Sequence, residues 1–453
     1  MSKLPCDLKI TEAASKIADG DLTAENLVKS CLERIDALED KVRAWALVDR
    51  AGAMEAAHQL DHELHQGRRR GLLHGIPMGV KDIFYTAGLR TQAGSKFWSD
   101  FVPSYDATSV ARLKEAGAII LGKTHTTEFA HFHPAPTRNP WNYEHTPGGS
   151  SSGSGAGVAA GMCLAALGSQ TLGSVLRPAA FNGVVGFKPA YGRISTYGVV
   201  PLAWNFDHVG ILAHCVADVA IIFHAIAGRD SKDFRSLDIA VPDCISNLET
   251  SKAPRLGLIK QYFFDKADEE MREHTINTVE YLRQAGAQIR TIELPPGFSD
   301  IVKDMASVMA VEAAAVHQEM YANHKNDYST ELSKLIEKGF NTTAIEYAQK
   351  LQLRAQRKNE IAPLFANIDA LVTPGAPGAA PFGLSSTGNP VMQGPWTIIG
   401  VPSISLPTGL NKNGLPLAIQ LVGPSLAEDR LLATARWCER VLNVSLFPPG
   451  TGV

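Results

Sequence analysis

The sequence predicts an α/β fold in which a large, twisted, mixed β-sheet is covered by helices on both faces. Along the whole chain, segments with the helical spacing of apolar residues alternate with short apolar runs typical of buried strands. The chain has 453 residues, 45% of them hydrophobic, so it can bury a large core. We see no internal repeat and no charged linker, and we therefore expect a single domain over residues 1–453.

The N-terminal half begins with an amphipathic helix. Apolar residues recur at helical spacing between residues 27 and 38, and Thr23 is suited to cap the N-terminus of this helix. Farther along, the stretch "ATSVARLKEAGAIILGK" joins a helical pattern to an apolar run at residues 118–121. This order predicts a helix followed by a buried strand.

The C-terminal half repeats this order. The run "RLGLI" at residues 255–259, a helical segment ending near Ala285 and the run "AQIRTIEL" predict a second β-α-β unit. The runs "DALVTP", "SISLP" and "LAIQLVG" predict three further buried strands. Residues 374–395 are rich in Pro, Gly and Ser and form the longest irregular segment, which we expect to be a pocket wall.

The composition excludes several classes of protein. A net charge of −3 and an isoelectric point near 6.5 give no electrostatic footprint for nucleic acid, and the basic run at residues 68–70 is too short to make one. Six cysteines without a C-x-x-C pair indicate free thiols in a reducing compartment. The first residues lack the apolar segment of a signal peptide, and no apolar run is long enough to cross a membrane. We therefore expect a cytoplasmic protein.

The run of glycines and serines "PGGSSSGS" at residues 147–154 is better explained as part of a site than as a linker. A linker stays polar, whereas this run leads directly into "GAGVAAGMCLAAL", which predicts a buried helix of small residues that contains Cys163. A second Gly/Ser turn follows in "GSQTLGS", and two such turns can supply the N–H groups of an oxyanion site. Upstream, Lys81 lies in the apolar stretch "HGIPMGVKDIF", where lost hydration disfavours its charged form and lets it act as a base.

Further motifs accompany these turns, among them "GKTHTTEFA", "NPWN", "FNGVVGFKPAYGRIS" and "GVPSISLPTGL". Together with the lysine, a serine 69 residues after it and a second serine 24 residues later, they resemble the amidase signature family of serine hydrolases over nearly the whole chain. The resemblance implies one amidase-signature domain with N-terminal helices at about residues 8–66, a signature core at about 72–230, and a variable helical and C-terminal part at about 231–453.

The resemblance also implies a role for each residue of the two turns. Ser174 corresponds to the nucleophile, Ser150 to a bridging serine that follows a cis peptide bond, and Lys81 to the general base. A neutral lysine acting through the bridging serine can deprotonate the nucleophile and later protonate the leaving amine, so we expect no cofactor and no metal. The oxyanion hole corresponds to the backbone N–H groups of Thr171, Leu172, Gly173 and Ser174.

Three positions depart from the commonest pattern of the family. Gln170 and Leu172 stand where many members have Asp and Gly, and the arginine that often follows the nucleophile by two places is displaced to Arg177. Because Gln170 and the displaced Arg177 resemble a subset of small-molecule amidases, they are candidate substrate-binding residues. Arg177 either clamps a substrate carboxylate or has a structural role, in which it pairs with a buried acid such as Asp207 and holds the loop, and we favour the structural role. We expect Leu172 to narrow the acyl pocket.

The leading prediction is an amidase that hydrolyses C–N acyl bonds of small molecules through an acyl-enzyme on Ser174. Carbamates (urethanes), ureas and esters are chemically close and are expected as further substrates. The alternative is an amidotransferase-type subunit that acts only in a multi-chain complex. The expected partner is a small-molecule substrate, with no nucleic acid and no membrane, and a homodimer is one assembly that the sequence allows.

Two other groups of residues offer rival sites. Asp207 and His208, with a serine, would make a Ser-His-Asp triad, but their order in the chain and the available lysine argue against it. Five residues have spacings that a metal site could use, although two prolines interrupt the segment and the resembling family uses no metal. We therefore favour histidines that line a pocket mouth or pack beside aromatic residues. These five residues are His125, Glu128, His131, His133 and His145.

Overall fold

The computed structural model describes residues 3–249 and 252–451. In this part of the chain the strands are β1 (Trp45–Val48), β2 (Pro77–Lys81), β3 (Ile119–Thr124), β4 (Ala165–Gln170), β5 (Val185–Lys188), β6 (His208–Ala213), β7 (Arg255–Leu258), β8 (Gln288–Thr291), β9 (Ala370–Pro374), β10 (Ser403–Leu410) and β11 (Pro416–Val422). They form one eleven-stranded sheet in the order β1-β3-β2-β4-β6-β5-β10-β11-β9-β7-β8.

The sheet contains two groups of parallel strands joined by an antiparallel group. Strand β2 pairs in parallel with β3 and β4, and β7 pairs in parallel with β8 and β9. The pairs from β4 through β6, β5, β10 and β11 to β9 are antiparallel, as is β1 against β3. The predicted mixed sheet is therefore confirmed.

Helices flank this sheet. Among the described residues they are α1 (Ile10–Asp19), α2 (Ala24–Val42), α3 (Arg50–His65), α4 (Thr108–Glu115), α5 (Ser152–Ala159), α6 (Leu176–Asn182), α7 (Val216–Ile226), α8 (Phe263–Lys266), α9 (Glu269–Gln284), α10 (Ile301–Asp304), α11 (Ala306–His324), α12 (Thr330–Phe340), α13 (Ala344–Ile361), α14 (Gly394–Ile399) and α15 (Glu428–Leu442). Every residue of β2, β3, β4, β5, β6, β9 and β11 is buried. Because side chains alternate between the two faces of a strand, both faces of the sheet are covered there.

Most of the predicted elements are present close to their expected positions. Helix α2 begins one residue after Thr23, whose Oγ1 accepts the N–H of Asn26 at 3.1 Å and so caps the helix. The predicted helix and strand near residue 118 are α4 and β3, and the second β-α-β unit is β7, α9 and β8. The three C-terminal runs are β9, β10 and β11.

The segment after the first Gly/Ser run differs from the prediction of one buried helix. Helix α5 ends at Ala159, and the left-handed backbone of Gly161, with φ +69°, breaks the helical path. The chain then continues as β4, so Cys163 lies between a helix and a strand, and Ser169 and Gln170 belong to the strand instead of a turn. A short apolar run of small residues fits a buried helix and a buried strand equally well, so periodicity could not separate the two.

Small residues let α5 approach its neighbours closely. All eight residues of α5 are buried. A Cβ atom on Gly153 would lie 2.1 Å from the carbonyl oxygen of Ala44 and 2.5 Å from the backbone nitrogen of His125. Since only glycine fits there, the helix rests directly on the backbone beside β1 and β3, and this contact fixes the position of the loop before α5.

Candidate active site

Lys81 is the last residue of β2, which lies between β3 and β4 in the sheet, and its side chain is fully buried. Its Nζ donates hydrogen bonds to Ser150 Oγ at 2.7 Å and to Ser169 Oγ at 2.8 Å. The structure thus brings together Lys81 and Ser150, which are 69 residues apart in the sequence.

Burial lowers the pKa of Lys81 well below its usual value, because the charged ammonium loses its hydration. The nearby carboxylate of Asp207 acts in the opposite direction. Burial also raises the pKa of Asp207 to about 6, so this carboxylate is itself easier to protonate than usual. The ε-amino group of Lys81 therefore becomes neutral at a lower pH than the amine of an exposed lysine.

Ser150 and Ser174 lie on two neighbouring loops. Ser150 follows a cis peptide bond with Gly149 and comes just before α5, while Ser174 comes just before α6. The N–H of Ser151 donates to the carbonyl of Ser174 at 3.2 Å, which holds the two loops side by side. Ser150 is 1% exposed and Ser174 is 9% exposed, and Ser174 lines a cleft, so it is the serine that a substrate can reach.

Residues 171–174 connect β4 to α6 and contain the predicted oxyanion donors. The hydroxyl of Thr171 donates to Asp207 at 2.6 Å. The carbonyl of Leu172 accepts a hydrogen bond from Thr397 Oγ1 on α14, also at 2.6 Å. The backbone of Leu172 does not take a positive φ, so its Cβ is accommodated without strain.

The cleft above Ser174 is narrow, with a volume of about 20 Å³, which is room for about one water molecule. A substrate therefore needs some of the lining side chains to move apart. The irregular segment before α14 contributes Pro390, which confirms the predicted pocket wall at one point. The lining residues are Ala130, His131, Phe132, Thr171, Leu172, Gly173, Ser174, Arg177, Leu202, Met309 and Pro390.

Arg177 lies on α6 in the wall of this cleft and is 1% exposed. Its Nη2 donates to the carbonyl of Gly149 at 2.6 Å and to Thr387 Oγ1 at 3.1 Å. The expected ion pair with Asp207 is not formed, because Asp207 is occupied by Thr171 and by the N–H groups of residues 202 and 203. The bond to Gly149 instead ties Arg177 to the loop of Ser150, which agrees with the expected structural role of holding the loop. Within the described residues, Nε and Nη1 of Arg177 are buried and have no hydrogen-bond partner. Burial lowers the pKa of Arg177 to about 9.

Gln170 is not part of the cleft wall. It is fully buried at the end of β4. Its Oε1 accepts the N–H groups of Val175 and Leu176 at 2.8 and 3.0 Å, and its Nε2 donates to Thr397 Oγ1 at 2.9 Å. Every hydrogen bond that the side chain of Gln170 makes in the structure is to another group of the protein. The choice of glutamine at this position therefore carries little information about the substrate.

The five residues considered as a metal site have separate neighbours. Glu128 accepts the backbone N–H of Ser329, and His145 Nδ1 lies 2.7 Å from the carbonyl oxygen of Ala380. His131 lies in the wall of the cleft, as the pocket-mouth interpretation predicts. Among residues 3–249 and 252–451, no group of three or more His, Cys, Asp or Glu side chains could hold a metal ion.

The rival Ser-His-Asp triad is not assembled. Asp207 accepts the hydroxyl of Thr171, while His208 Nδ1 lies 2.6 Å from the carbonyl oxygen of Phe206. Because the carboxylate is bound to Thr171 and the two adjacent backbone N–H groups, it does not orient the imidazole as a triad requires.

Two residues that contact the site, Ser169 and Thr397, were missed at the sequence level. Ser169 is the second partner of Lys81, and its signal is weak, since it is one polar residue in the buried strand "AALGSQ". Thr397 is 225 residues from Leu172, the residue whose carbonyl it holds. A pairing over that distance leaves no local pattern that a single sequence can reveal.

The similarity of this chain to known proteins covers almost its whole length. The sequence profile described as Amidase matches residues 26–432. A glutamyl-tRNA(Gln) amidotransferase subunit from Carboxydothermus hydrogenoformans is 35% identical over 473 residues, which cover 96% of this chain and 97% of that relative. The protein of the same name from Nostoc punctiforme is 34% identical over 480 residues, with coverages of 97% and 99%. A solved peptide amidase, in complex with the competitive inhibitor chymostatin, is 30% identical with a TM-score of 0.88 and covers 98% of this chain and 99% of its own.

These relatives contradict the leading prediction of function. The prediction of a small-molecule amidase with no nucleic-acid partner, and with a homodimer as an allowed assembly, is wrong on this comparison, because relatives aligned over nearly their full length are named as a subunit of a tRNA-linked amidotransferase. The expectation of carbamates (urethanes) as further substrates depended on that prediction and is not supported either. The physical reason lies partly in Gln170, which we interpreted as a signal of substrate type although it faces α6 and α14 instead of the cleft. As for membranes, no helix in the described part of the chain is both long and apolar enough to span one.

Proposed function

The chain belongs to the amidase family, and on that basis we propose that it is the amide-cleaving subunit of an amidotransferase complex. In this proposal it releases ammonia from an amide donor, and a partner chain uses the ammonia to amidate a glutamyl group carried on tRNA. The observation that carries the proposal is the identity of 34–35% to the amidotransferase subunits over 96–97% of this chain, with those relatives covered over 97–99% of their length.

The site geometry supports an acyl-enzyme route for the cleavage step. Ser174 Oγ attacks the carbonyl carbon of the donor amide, and its proton passes through Ser150 to the neutral amine of Lys81, 2.7 Å from Ser150 Oγ. The C–N bond then breaks as Lys81 returns the proton to the nitrogen, which leaves as ammonia. Water, deprotonated by the same route, releases the acid product and restores Ser174.

The backbone N–H groups of residues 171–174 are proposed to stabilise the negative charge on the carbonyl oxygen. One such donor is worth roughly 10²–10³ in rate. These donors need no side chain, which explains why Leu172 is compatible with catalysis. Its side chain lies in the cleft wall and is placed to limit the size of the acyl group.

The surroundings of Arg177 favour an amide donor that also carries a carboxylate. Its Nη2 is bound to Gly149 and Thr387, while Nε and Nη1 are buried without a partner among the described residues, and the side chain lies in the same cleft wall as Ser174. A buried, unpaired N–H group is costly unless a ligand satisfies it, and a carboxylate matches the fork of a guanidinium. The ω-amides of amino acids, glutamine and asparagine, have both the amide and the carboxylate that this arrangement requires.

A partner chain is required by the chemistry of the second half-reaction. Ammonia does not displace oxygen from an unactivated carboxylate, so the glutamyl carboxylate must first be activated at the expense of a nucleoside triphosphate. We assign this activation and the binding of tRNA to the partner. The six buried free cysteines are compatible with the cytoplasm, where tRNA is aminoacylated.

The test begins with the tagged chain purified from cells that produce it, together with whatever chains accompany it. We expect at least one stoichiometric partner, and ammonia release from glutamine or asparagine that is faster in the complex than in the isolated chain. In the Ser174→Ala variant the complex should form normally but release no ammonia, and no acyl adduct should be found by intact-protein mass spectrometry. An isolated chain that is fully active and never copurifies with a partner would overturn the proposal.

A further inference from the structure

Gln170 and Thr397 lie behind the loop of proposed oxyanion donors, and both are fully buried. Gln170 ends β4 and Thr397 is in the middle of α14. Gln170 Nε2 donates to Thr397 Oγ1 at 2.9 Å. Thr397 Oγ1 lies 2.6 Å from the carbonyl oxygen of Leu172 and 3.0 Å from that of Gln393 in its own helix, and we assign its single hydrogen to the shorter contact, with Leu172. A continuous hydrogen-bonded chain therefore runs from the central sheet through α14 to the loop.

This chain sets the direction of one peptide group in the loop. In a planar trans peptide, the carbonyl and the following N–H point in opposite directions. Because the carbonyl of Leu172 is held toward α14, the N–H of Gly173 is directed away from α14. Gly173 itself lines the cleft with Ser174, so its N–H is available to an oxyanion there.

The same glutamine also holds the other end of the loop. Its Oε1 accepts the N–H groups of Val175 and Leu176, at the start of α6. The first N–H groups of a helix have no partner within the helix, so this side chain acts as their cap. A single carboxamide thus fixes the loop on both sides of Gly173 and Ser174.

The carboxamide of Gln170 makes all three of these hydrogen bonds, whereas a carboxylate could make only two of them. A carboxylate at position 170 could accept the same two N–H groups, but it has no hydrogen to donate to Thr397. The hydroxyl of Thr397 would then be drawn toward the charged group and away from Leu172.

We propose that Gln170 and Thr397 are positioning residues of the oxyanion hole, which act by fixing the peptide between Leu172 and Gly173. This inference rests on the proposed acyl transfer at Ser174, but not on the identity of the amide donor, the partner chain or the tRNA. Neither residue contacts the substrate in this assignment. Their effect is on the transition state, so they should change acylation much more than ground-state binding.

The experiment uses two probes that need only Ser174 and the oxyanion loop. p-Nitrophenyl acetate reports acylation through the release of p-nitrophenolate and the mass of the acetylated protein. Phenylboronic acid forms a tetrahedral adduct with a serine hydroxyl, and its dissociation constant is measured by titration. The variants are Thr397→Val, which keeps the shape but removes the hydroxyl, Thr397→Ser, which keeps the hydroxyl, and Gln170→Glu.

Thr397→Val should slow acylation and weaken phenylboronic acid binding, each by about 10- to 100-fold, while the Michaelis constant for the ester changes little. Thr397→Ser should stay within about threefold of the wild type, and Gln170→Glu should lose about tenfold or more. Wild-type acylation rates in Thr397→Val, or a folded Thr397→Ser that fails to rescue, would overturn the inference. If Thr397→Val does not fold, Gln170→Glu provides the test, and a wild-type acylation rate in that variant would overturn the inference. A wild-type chain that forms no acetyl adduct on Ser174 contradicts the proposed function instead.

Discussion

Lys81 shows how the surroundings of one residue set its chemistry. An exposed lysine holds its proton at neutral pH, whereas the side chain of Lys81 has lost all contact with water and meets two hydroxyl groups. Both hydroxyls can accept from an ammonium, and either one can donate to the single lone pair of a neutral amine. The residue can therefore change its protonation state without leaving its place.

The first prediction concerns pH. Because only the neutral amine can accept the proton of Ser174, kcat/KM should rise with pH through the lowered pKa of Lys81 and then level off. The midpoint should lie below the pKa of an exposed lysine, about 10.4. Lys81→Ala should lose about 10²–10⁴ in rate while it still folds. A rate that falls as the pH rises, or that begins to rise only at the pKa of an exposed lysine, with acylation rate-limiting, would count against this role of Lys81.

The second prediction separates the two roles of Arg177. Arg177→Lys keeps a positive charge but loses the planar fork, so glutamine should lose about tenfold relative to glutaminamide, which has no carboxylate. The matched control is Thr387→Val, which removes a protein partner of the same guanidinium and should leave this preference unchanged. Equal losses for both substrates, with a lower melting temperature, would show that the arginine is only structural.

At the scale of elements, α5 and β4 explain why the sequence between the two serines has so many small residues. Helix α5 is pressed against the backbone at Ala44 and His125, and β4 lies between β2 and β6 in the buried centre of the sheet. The two elements carry the loops of Ser150 and Ser174 respectively. Close packing of small residues thus holds the two serine loops at a fixed separation.

The third prediction tests this packing with two glycines of α5. Gly153→Ala should destabilise the fold by about 3 kcal/mol, because the new Cβ would overlap the carbonyl oxygen of Ala44. In Gly157→Ala the nearest atom to the new Cβ is 3.6 Å away, an ordinary contact, so stability should be unchanged or rise by about 0.5–1 kcal/mol. Denaturant unfolding measures both. Equal stability of the two variants would show that the close approach at Gly153 is not a constraint.

The elements that carry strong local signals were predictable from the sequence. Apolar runs indicated β7, β9 and β11, and the N-cap at Thr23 indicated the start of α2. The boundary between α5 and β4 was not predictable, since a left-handed glycine inside an apolar run leaves the periodicity ambiguous. In the site, Lys81 and Ser150 followed from their spacing and from the resemblance to a family, and the structure joins them by a hydrogen bond. Thr397 could not be found, because its link to the loop is purely tertiary.

On the scale of the whole molecule, the sheet gathers residues from distant parts of the chain into one site, in and beneath the cleft. β2 supplies Lys81, the loop after β4 supplies Ser174, and α14 reaches back to hold Leu172. The substrate was the part that the sequence predicted wrongly. Residues beside the nucleophile were interpreted as indicators of the type of substrate. The function of a subunit in a complex, however, depends on surfaces and partners that lie outside the catalytic centre.

The most direct measurement follows the amide nitrogen itself. The purified complex is given glutamine labelled with ¹⁵N in the side-chain amide, ATP and glutamyl-tRNA, and the aminoacyl group is then released and analysed by mass spectrometry. We predict that ¹⁵N appears in glutamine attached to the tRNA, that Ser174→Ala abolishes this transfer, and that added ammonium chloride restores it in the variant because activation by the partner is intact. Release of all the label as free ammonia, with none on tRNA, would contradict the account and show an enzyme that only hydrolyses amides.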